Sequence, residues 1–302
     1  MLDKSRLLGL IPIAFVLLWS TGFIGAKYGL PYAEPFTLLM YRMYITLGSF
    51  LLLIWIFSGR WPDMRGAFHS MVVGALVHAS YLGGVFSAIK SGMPAGLISL
   101  LVGLQPILTA VVARGWLGER INAVQGGGLL LGLVGVAMVL ANRGQETGSA
   151  AFGPDALLCA LIALIGISLG TIYQKRYCSG VNLLTGAFYQ FLSTALIMTA
   201  LSFMFETGQI NWEPQFVLSL LWLVFGLSVT AILLLMLMIR EGEAAKVASY
   251  FYLTPPVTAI MAWLLFDEQL DVLAVVGMVI AVSGVYLVAR GHKWRKPKTS
   301  GQ

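Results

Sequence analysis

The sequence predicts an all-α polytopic membrane protein. It reads as ten transmembrane helices in two inverted five-helix repeats around a central cavity, with both termini cytoplasmic. Three observations carry this. Of 302 residues, 58% are hydrophobic and 11% charged, whereas soluble domains carry about 25% charged residues. So little charge cannot cover so large an apolar interior with a polar surface. Apolar runs long enough to cross a hydrocarbon core about 30 Å thick, which takes about 20 helical residues, recur from end to end. The second half of the chain repeats the first.

The apolar spans fall near residues 8–29, 35–57, 67–88, 94–114, 121–141, 153–174, 182–205, 214–239, 244–266 and 271–289. The first follows a basic start and resembles a signal peptide. It lacks a small-residue cleavage site and runs into a full-length span, so it is expected to be retained. The connections are short and leave no room for a soluble domain. Two cysteines, Cys159 and Cys178, form neither a metal-ligand cluster nor a disulfide framework.

Charge sets the orientation, because Lys and Arg concentrate in cytoplasmic segments. With the amino terminus inside, fifteen of the 19 Lys and Arg lie on the cytoplasmic side. Only Lys27, Lys90 and Arg143 lie outside, and Arg42 falls within a span. The net charge of +6 therefore reads as membrane orientation, not as a nucleic-acid footprint. Residues 292–302 form a basic cytoplasmic tail, expected to be disordered.

The repeat shows as matched residues at offsets of 150, 149 after a one-residue deletion, and 148. Gly92, Ala95, Ser99 and Pro106 fall on Gly242, Ala245, Ser249 and Pro256; Glu119, Gly128 and Gly135 fall on Glu268, Gly277 and Gly284. Ser20, Gly22, Lys27, Thr37 and Tyr41 fall on Ser168, Gly170, Lys175, Thr185 and Tyr189. The units are residues 1–145 and 150–291. Five helices per unit turn the second copy upside down, and inverted repeats characterise secondary transporters with sites between the repeats. Proline removes a helix hydrogen bond. Pro106 and Pro256, matched in the fourth and ninth spans, are expected to kink both helices around the cavity; tolerated, functionally silent prolines are the alternative.

Two long segments carry a family resemblance. They are "AGLISLLVGLQPILTAVVARGWLGERINAVQGGGLLLGLVGVAMVL" and "AAKVASYFYLTPPVTAIMAWLLFDEQLDVLAVVGMVIAVSGVYLV". Small residues, a mid-helix proline, an acidic residue at the loop and a glycine-rich last helix resemble the end of an EamA-type repeat. "WSTGFIGAKYGL" resembles the family's first helix and "PFTLLMYRM" its second, with the arginine at Arg42. The resemblance covers nearly the whole chain. It implies the drug/metabolite transporter superfamily, alternating access, a bacterial-type inner membrane and a small organic substrate. Within the superfamily the chain looks most like exporters of amino acids, including aromatic ones. The halves differ: Gln190 stands where Arg42 stands, and Ile167 where Trp19 stands.

Intramembrane ionisable residues are the first functional candidates. All thirteen Asp and Glu lie in loops or at helix ends, which argues against a cationic-drug antiporter built on a buried carboxylate. Arg42 offers a planar fork of donors for a substrate carboxylate; a structural arginine bonded to backbone or snorkelling outward is the alternative. His78 can hydrogen-bond or titrate, or serve as a plain interhelical link, and Tyr81 lies at i+3 from it. Trp19, Tyr81, Tyr189, Tyr250 and Tyr252 are candidate aromatic walls, Tyr252 foremost because it shares a helical face with Ser249 and Pro256, though for any one of them ordinary helix packing is the better reading. Ser20, Ser168, Gln105 and Gln190 can supply the few placed polar groups a pocket needs.

"GISLG", residues 166–170, matches the serine-nucleophile pattern G-x-S-x-G. Gly166 and Gly170 also make a small-residue surface for close helix packing, which is the preferred reading. An enzyme is not expected, nor a cofactor or metal. The expected activity is export of neutral or aromatic amino acids through the central cavity, with ion coupling left open. Alternatives are a broad toxic-compound or drug exporter and a proton-coupled metabolite antiporter. The expected partners are a small-molecule substrate and the lipid bilayer; oligomeric state is left open.

Overall fold

The computed structural model describes residues 4–117, 122–143, 152–234, 251–268 and 271–293. Tyr250, Glu119, part of the eighth and ninth expected spans, and the tail beyond 293 lie outside these residues. Six helices are long and apolar enough to cross a membrane, and four further apolar stretches are shorter. In chain order they are α1 (Lys4–Gly29), α2 (Pro35–Phe57), α3 (Met64–Lys90), α4 (Ala95–Gly103 and Gln105–Leu117) and α5 (Ala123–Arg143). Then come α6 (Pro154–Tyr177), α7 (Leu183–Phe205), α8 (Pro214–Leu234), α9 (Thr254–Phe266) and α10 (Val272–Lys293). The described β-structure is one isolated bridge, Ala33 to Ile210.

Local chemistry sets the helix starts. Pro35, Pro154 and Pro214 open α2, α6 and α8, where a missing N–H costs nothing. Asp63 caps α3 through Gly66 N, and Asn182 caps α7 through Leu184 N and Thr185 N. The prolines of α4 and α9 act in the same way. α4 stops at Gly103 and restarts at Gln105, so Pro106 occupies the first turn of a new segment. α9 begins at Thr254 after a short 3₁₀ turn, Phe251–Leu253, with Pro255 and Pro256 in its first turn. At Pro106 the helical pattern is interrupted for one residue, Leu104, and at Pro256 the described helix starts; residues 235–250, before this second proline, lie outside the described residues.

The main helix contacts among the described residues recur when each helix is exchanged for the one five later. α3 packs on α6 and α7, as α8 packs on α1 and α2; α1 meets α9, as α6 meets α4. The counterpart pairs α2–α7, α4–α9 and α5–α10 also pack on each other, and they run antiparallel. Thr37 at the start of α2 bonds Ser202 near the end of α7, while Thr185 at the start of α7 bonds the Arg60 carbonyl beyond α2. In the α5–α10 pair, a Cβ on Gly135 lies 2.4 Å from Ala281 N, and one on Gly284 lies 2.4 Å from Gly132 N. Those two backbones touch, which only glycine permits.

The same exchange relates two irregular turns. Gly74–Ser80 in α3 and Trp222–Ala231 in α8 are π-helical, and both start 148 residues apart. Ser80 Oγ donates to the Ala75 carbonyl at 3.0 Å, and Ser228 Oγ to the Leu223 carbonyl at 3.3 Å. Each bond reaches five residues back, as the wider π turn requires. Such π segments are rare and recur at functional sites.

One face of the bundle is tied shut. Glu206 accepts from Phe36 N at 2.7 Å and Thr37 N at 2.6 Å, clamping the start of α2 to the end of α7. Glu268 accepts from Lys27 Nζ at 2.6 Å, from Ala95 N at 2.9 Å and from Gly96 N at 3.3 Å, joining α1, α4 and α9. Lys90 Nζ donates to the Leu30 carbonyl at 2.8 Å.

Candidate functional site

The two π segments and the pair α2–α7 enclose a cavity of about 90 Å³, narrower than the ~300–1,000 Å³ of typical ligand pockets. Its polar groups are Arg42 (α2), His78 and Tyr81 (α3) and Ser228 (α8). Trp19, Phe86 and Phe191 supply aromatic surface.

Arg42 is buried, 6% exposed. Its Nε and Nη2 both donate to Ser228 Oγ, at 3.2 and 3.1 Å. Because Ser228 Oγ spends its own proton on Leu223, both of its lone pairs are available to the guanidinium. Among the described residues no carboxylate lies within ion-pair distance of Arg42; the ion pair found there is Lys27–Glu268. A buried cation without a counter-charge is costly. The cavity therefore favours an anionic ligand group over a cationic one.

His78 mirrors this arrangement. Its Nε2 donates to Gln190 Oε1 at 3.2 Å, leaving Nδ1 as an acceptor, and its ring stacks on Phe191 with centroids 4.6 Å apart. Gln190 is the α7 counterpart of Arg42. Each of α2 and α7 thus sends one polar side chain to the π segment of the other half: Arg42 to α8, Gln190 to α3. The geometry is two-fold; the chemistry is cationic on one side and neutral on the other.

Of the sequence candidates, Trp19, Arg42, His78 and Tyr81 line the cavity, and Gln190 reaches it through His78. Trp19 also packs edge-on against Phe251, with centroids 5.1 Å apart. Others stand elsewhere. Gln105 Nε2 donates to Thr171 Oγ1 on α6 at 2.9 Å, and Ser20 Oγ lies 3.5 Å from the Thr254 carbonyl. Gln105 ties α4 to α6, and Ser20 lies beside the start of α9. Tyr189 packs against Trp61 and Phe188, near the start of α7. The side chain of Tyr252 lies outside the described residues.

Pro106 and Pro256 do not contribute to the described cavity wall. Their helices approach each other: a Cβ on Gly103 lies 2.8 Å from Pro255 Cγ. Ser168 is buried, and among the described residues its hydroxyl has no hydrogen-bond partner. Its flanking glycines lie against α3, where Cβ atoms on Gly166 and Gly170 come 2.6 Å from Ser80 Cβ and 2.5 Å from Val77 Cγ2. Sequence reasoning missed Ser228, Phe86 and Phe191. Ser228 was findable as the repeat counterpart of Ser80; nothing marks the phenylalanines in a chain with 16 of them.

Apolar helices paired by a two-fold exchange, enclosing a small cavity with placed polar groups, define a multi-pass membrane transporter. The comparison with known families agrees. The EamA-like transporter family matches residues 7–141 and again 155–290, so the chain belongs to this family. It is 28% identical to the uncharacterized transporter YvbV of Bacillus subtilis (strain 168), over 99% of this chain and 97% of that one. It is 25% identical to a probable amino-acid metabolite efflux pump of Escherichia coli (strain K12), over 97% of this chain and 98% of that one. A crystal structure sharing 19% identity superposes with a TM-score of 0.63, covering 94% of this chain and 96% of the other. It shows the same fold.

Proposed function

We propose that this protein exports small carboxylate-bearing metabolites, with neutral and aromatic amino acids as the leading class. The six long and four shorter apolar helices are read as ten spans in a bacterial-type inner membrane, with both termini cytoplasmic. The antiparallel pairing of counterpart helices supports two inverted repeats that rock about the cavity between them. The observation that carries the substrate class is Arg42: a buried guanidinium with one hydroxyl partner on a cavity wall that also offers aromatic rings. It fits a carboxylate at one end of the ligand and an apolar or ring side chain at the other. The amino-acid efflux pump among the relatives supports the same class.

The deep carboxylate that a cation antiporter needs is absent from the described cavity wall. That favours facilitated diffusion, with direction set by the substrate gradient. A proton-coupled step is the second reading, favoured by the acceptor Nδ1 of His78 on the cavity wall. A broad-specificity exporter is the third, favoured by the aromatic lining.

Proteoliposome uptake of labelled amino acids, with and without a pH gradient, separates these. Saturable uptake indifferent to the gradient is expected. Gradient-driven uptake that is lost in His78→Ala establishes proton coupling instead. Absence of amino-acid uptake by folded protein overturns the substrate class.

A further inference from the structure

The face opposite the Glu206 and Glu268 contacts holds a far larger opening, an open cleft of about 760 Å³ between the end of α2, the start of α3 and the loop joining α6 to α7. Arg60, Arg65 and Arg176 line it, with His69 and one carboxylate, Asp63. Asp63 is occupied by its own helix, accepting from Gly66 N at 2.9 Å. Among the described residues, none of the three arginines has a carboxylate within ion-pair distance. The floor is aromatic: His69 stacks on Tyr177 at 4.8 Å and its Nδ1 lies 2.8 Å from Tyr173 Oη. Arg176 lies 5.5 Å from the Tyr177 ring centroid.

The repeat shows what this end lacks. On the tied face, the loops joining α1 to α2 and α7 to α8 are zipped by the Ala33–Ile210 bridge, by Asn211 N to the Tyr32 carbonyl, and by Thr207 N to Glu34. Their counterparts, the α6–α7 and α2–α3 loops, flank the cleft instead. The Glu206 carboxylate that clamps the tied face has Ser58 as its counterpart. The tied face therefore brings its own anion, and the cleft presents arginines in its place. Around the cleft, Trp61 is 50%, Met64 87% and Phe68 61% exposed. Exposed apolar and aromatic side chains beside clustered arginine mark a membrane interface.

We propose that this cleft binds a phosphate group, supplied by the headgroup of an anionic phospholipid whose acyl chains lie along Trp61, Met64 and Phe68. Arginine forks suit phosphate oxygens, and basic pockets between transmembrane helices on the cytoplasmic side bind anionic headgroups. The cytoplasmic placement rests on the topology proposed above; the phosphate chemistry does not.

The test is thermal melting of the purified full-length protein in neutral detergent. Phosphatidylglycerol, phosphatidylcholine, glycerol 3-phosphate and inorganic phosphate are added in separate samples. Phosphatidylglycerol is expected to raise Tm by roughly 5 °C at saturation, and phosphatidylcholine to leave it unchanged. The rise is expected to be lost in Arg60→Gln/Arg176→Gln and kept in the tail variant Lys296→Gln. An equal rise with the soluble phosphates, lost in the same double variant, upholds the site but makes its source soluble. Equal effects of the two lipids, or a rise surviving in the double variant, overturns the proposal. The melt contains no transport substrate, so a failed uptake assay leaves it standing. Impermeant labelling of Ser179→Cys in oriented vesicles decides the side of the membrane separately.

Discussion

Arg42 carries five N–H donors into an apolar interior and gives two of them to one serine hydroxyl. Charge-assisted bonds contribute about 1.5–3 kcal/mol each, which is roughly 10–100-fold in affinity. Arg42→Gln is therefore expected to raise KM for carboxylate substrates by roughly that factor. The same variant is expected to leave binding of the decarboxylated amine unchanged or strengthened, since it removes a like charge. Concentration-dependent uptake of an amino acid, beside competition by its decarboxylated analogue, checks both. Ser228→Ala removes the acceptor but keeps the charge, so its effect on KM is expected to be smaller, under about tenfold. Arg42 was legible in the sequence because a cation in an apolar run is conspicuous. Ser228 was not, because a serine in such a run is ordinary until the repeat pairs it with Ser80.

Helices in this protein hold together where backbones touch and where one helix caps another. On α5, a Cβ at Gly135 meets Ala281 N and Gly277 O at 2.4 and 2.5 Å, whereas one at Gly126 has nothing within 4 Å. Gly135→Ala is expected to destabilise by about 1–3 kcal/mol. Gly126→Ala is expected to be neutral or stabilising by up to about 1 kcal/mol. Melting the two variants side by side separates packing from helix propensity. The Glu268 carboxylate has three donors and is 9% exposed, while Lys27 is 30% exposed. Glu268→Ala strips a partner from α1 and two from the first turn of α4. It is expected to cost about 2–4 kcal/mol, and Lys27→Ala clearly less, by the same melts. The matched prolines were visible in the sequence, but their effect was not. Both stand in the first turn of a described helical segment, and the two segments approach each other at Gly103 and Pro255.

Among the described residues, the counterpart pairs α2–α7 and α5–α10 lie antiparallel and the main contacts recur on exchange of the halves, yet the two faces differ. One is zipped by Glu34, Glu206 and Glu268; the other opens into the arginine-lined cleft. Two nearly equivalent halves in unequal states are what alternating access requires. Cysteines at Ser179 and Gly208, both in exposed loops on opposite faces, test the topology in a background with Cys159 and Cys178 replaced by serine. Ser179→Cys is expected to react with an impermeant maleimide only from the cytoplasmic side, and Gly208→Cys only from the other. Labelling with the two sides exchanged removes the proposed orientation, and reaction of both from one side removes α7 as a span.

Composition, span length and the internal offset are properties of sequence order, so the apolar helices, their pairing into repeats and the candidate cation at Arg42 could be read directly. The bilayer makes this possible, because each span must satisfy its own backbone and so announces itself as a long apolar run. Contacts between residues 42 and 228, 78 and 190, or 27 and 268 carry no such signature. Each depends on the rotation and depth of two helices that meet far apart in sequence. The tertiary structure alone decided that Ser20, Gln105 and Tyr189 serve packing outside the described cavity wall, and that a π turn in each half aims His78 and Ser228 at the same cavity. It also decided which face is tied and which is open, because closure is a property of the packed halves together and neither half encodes it.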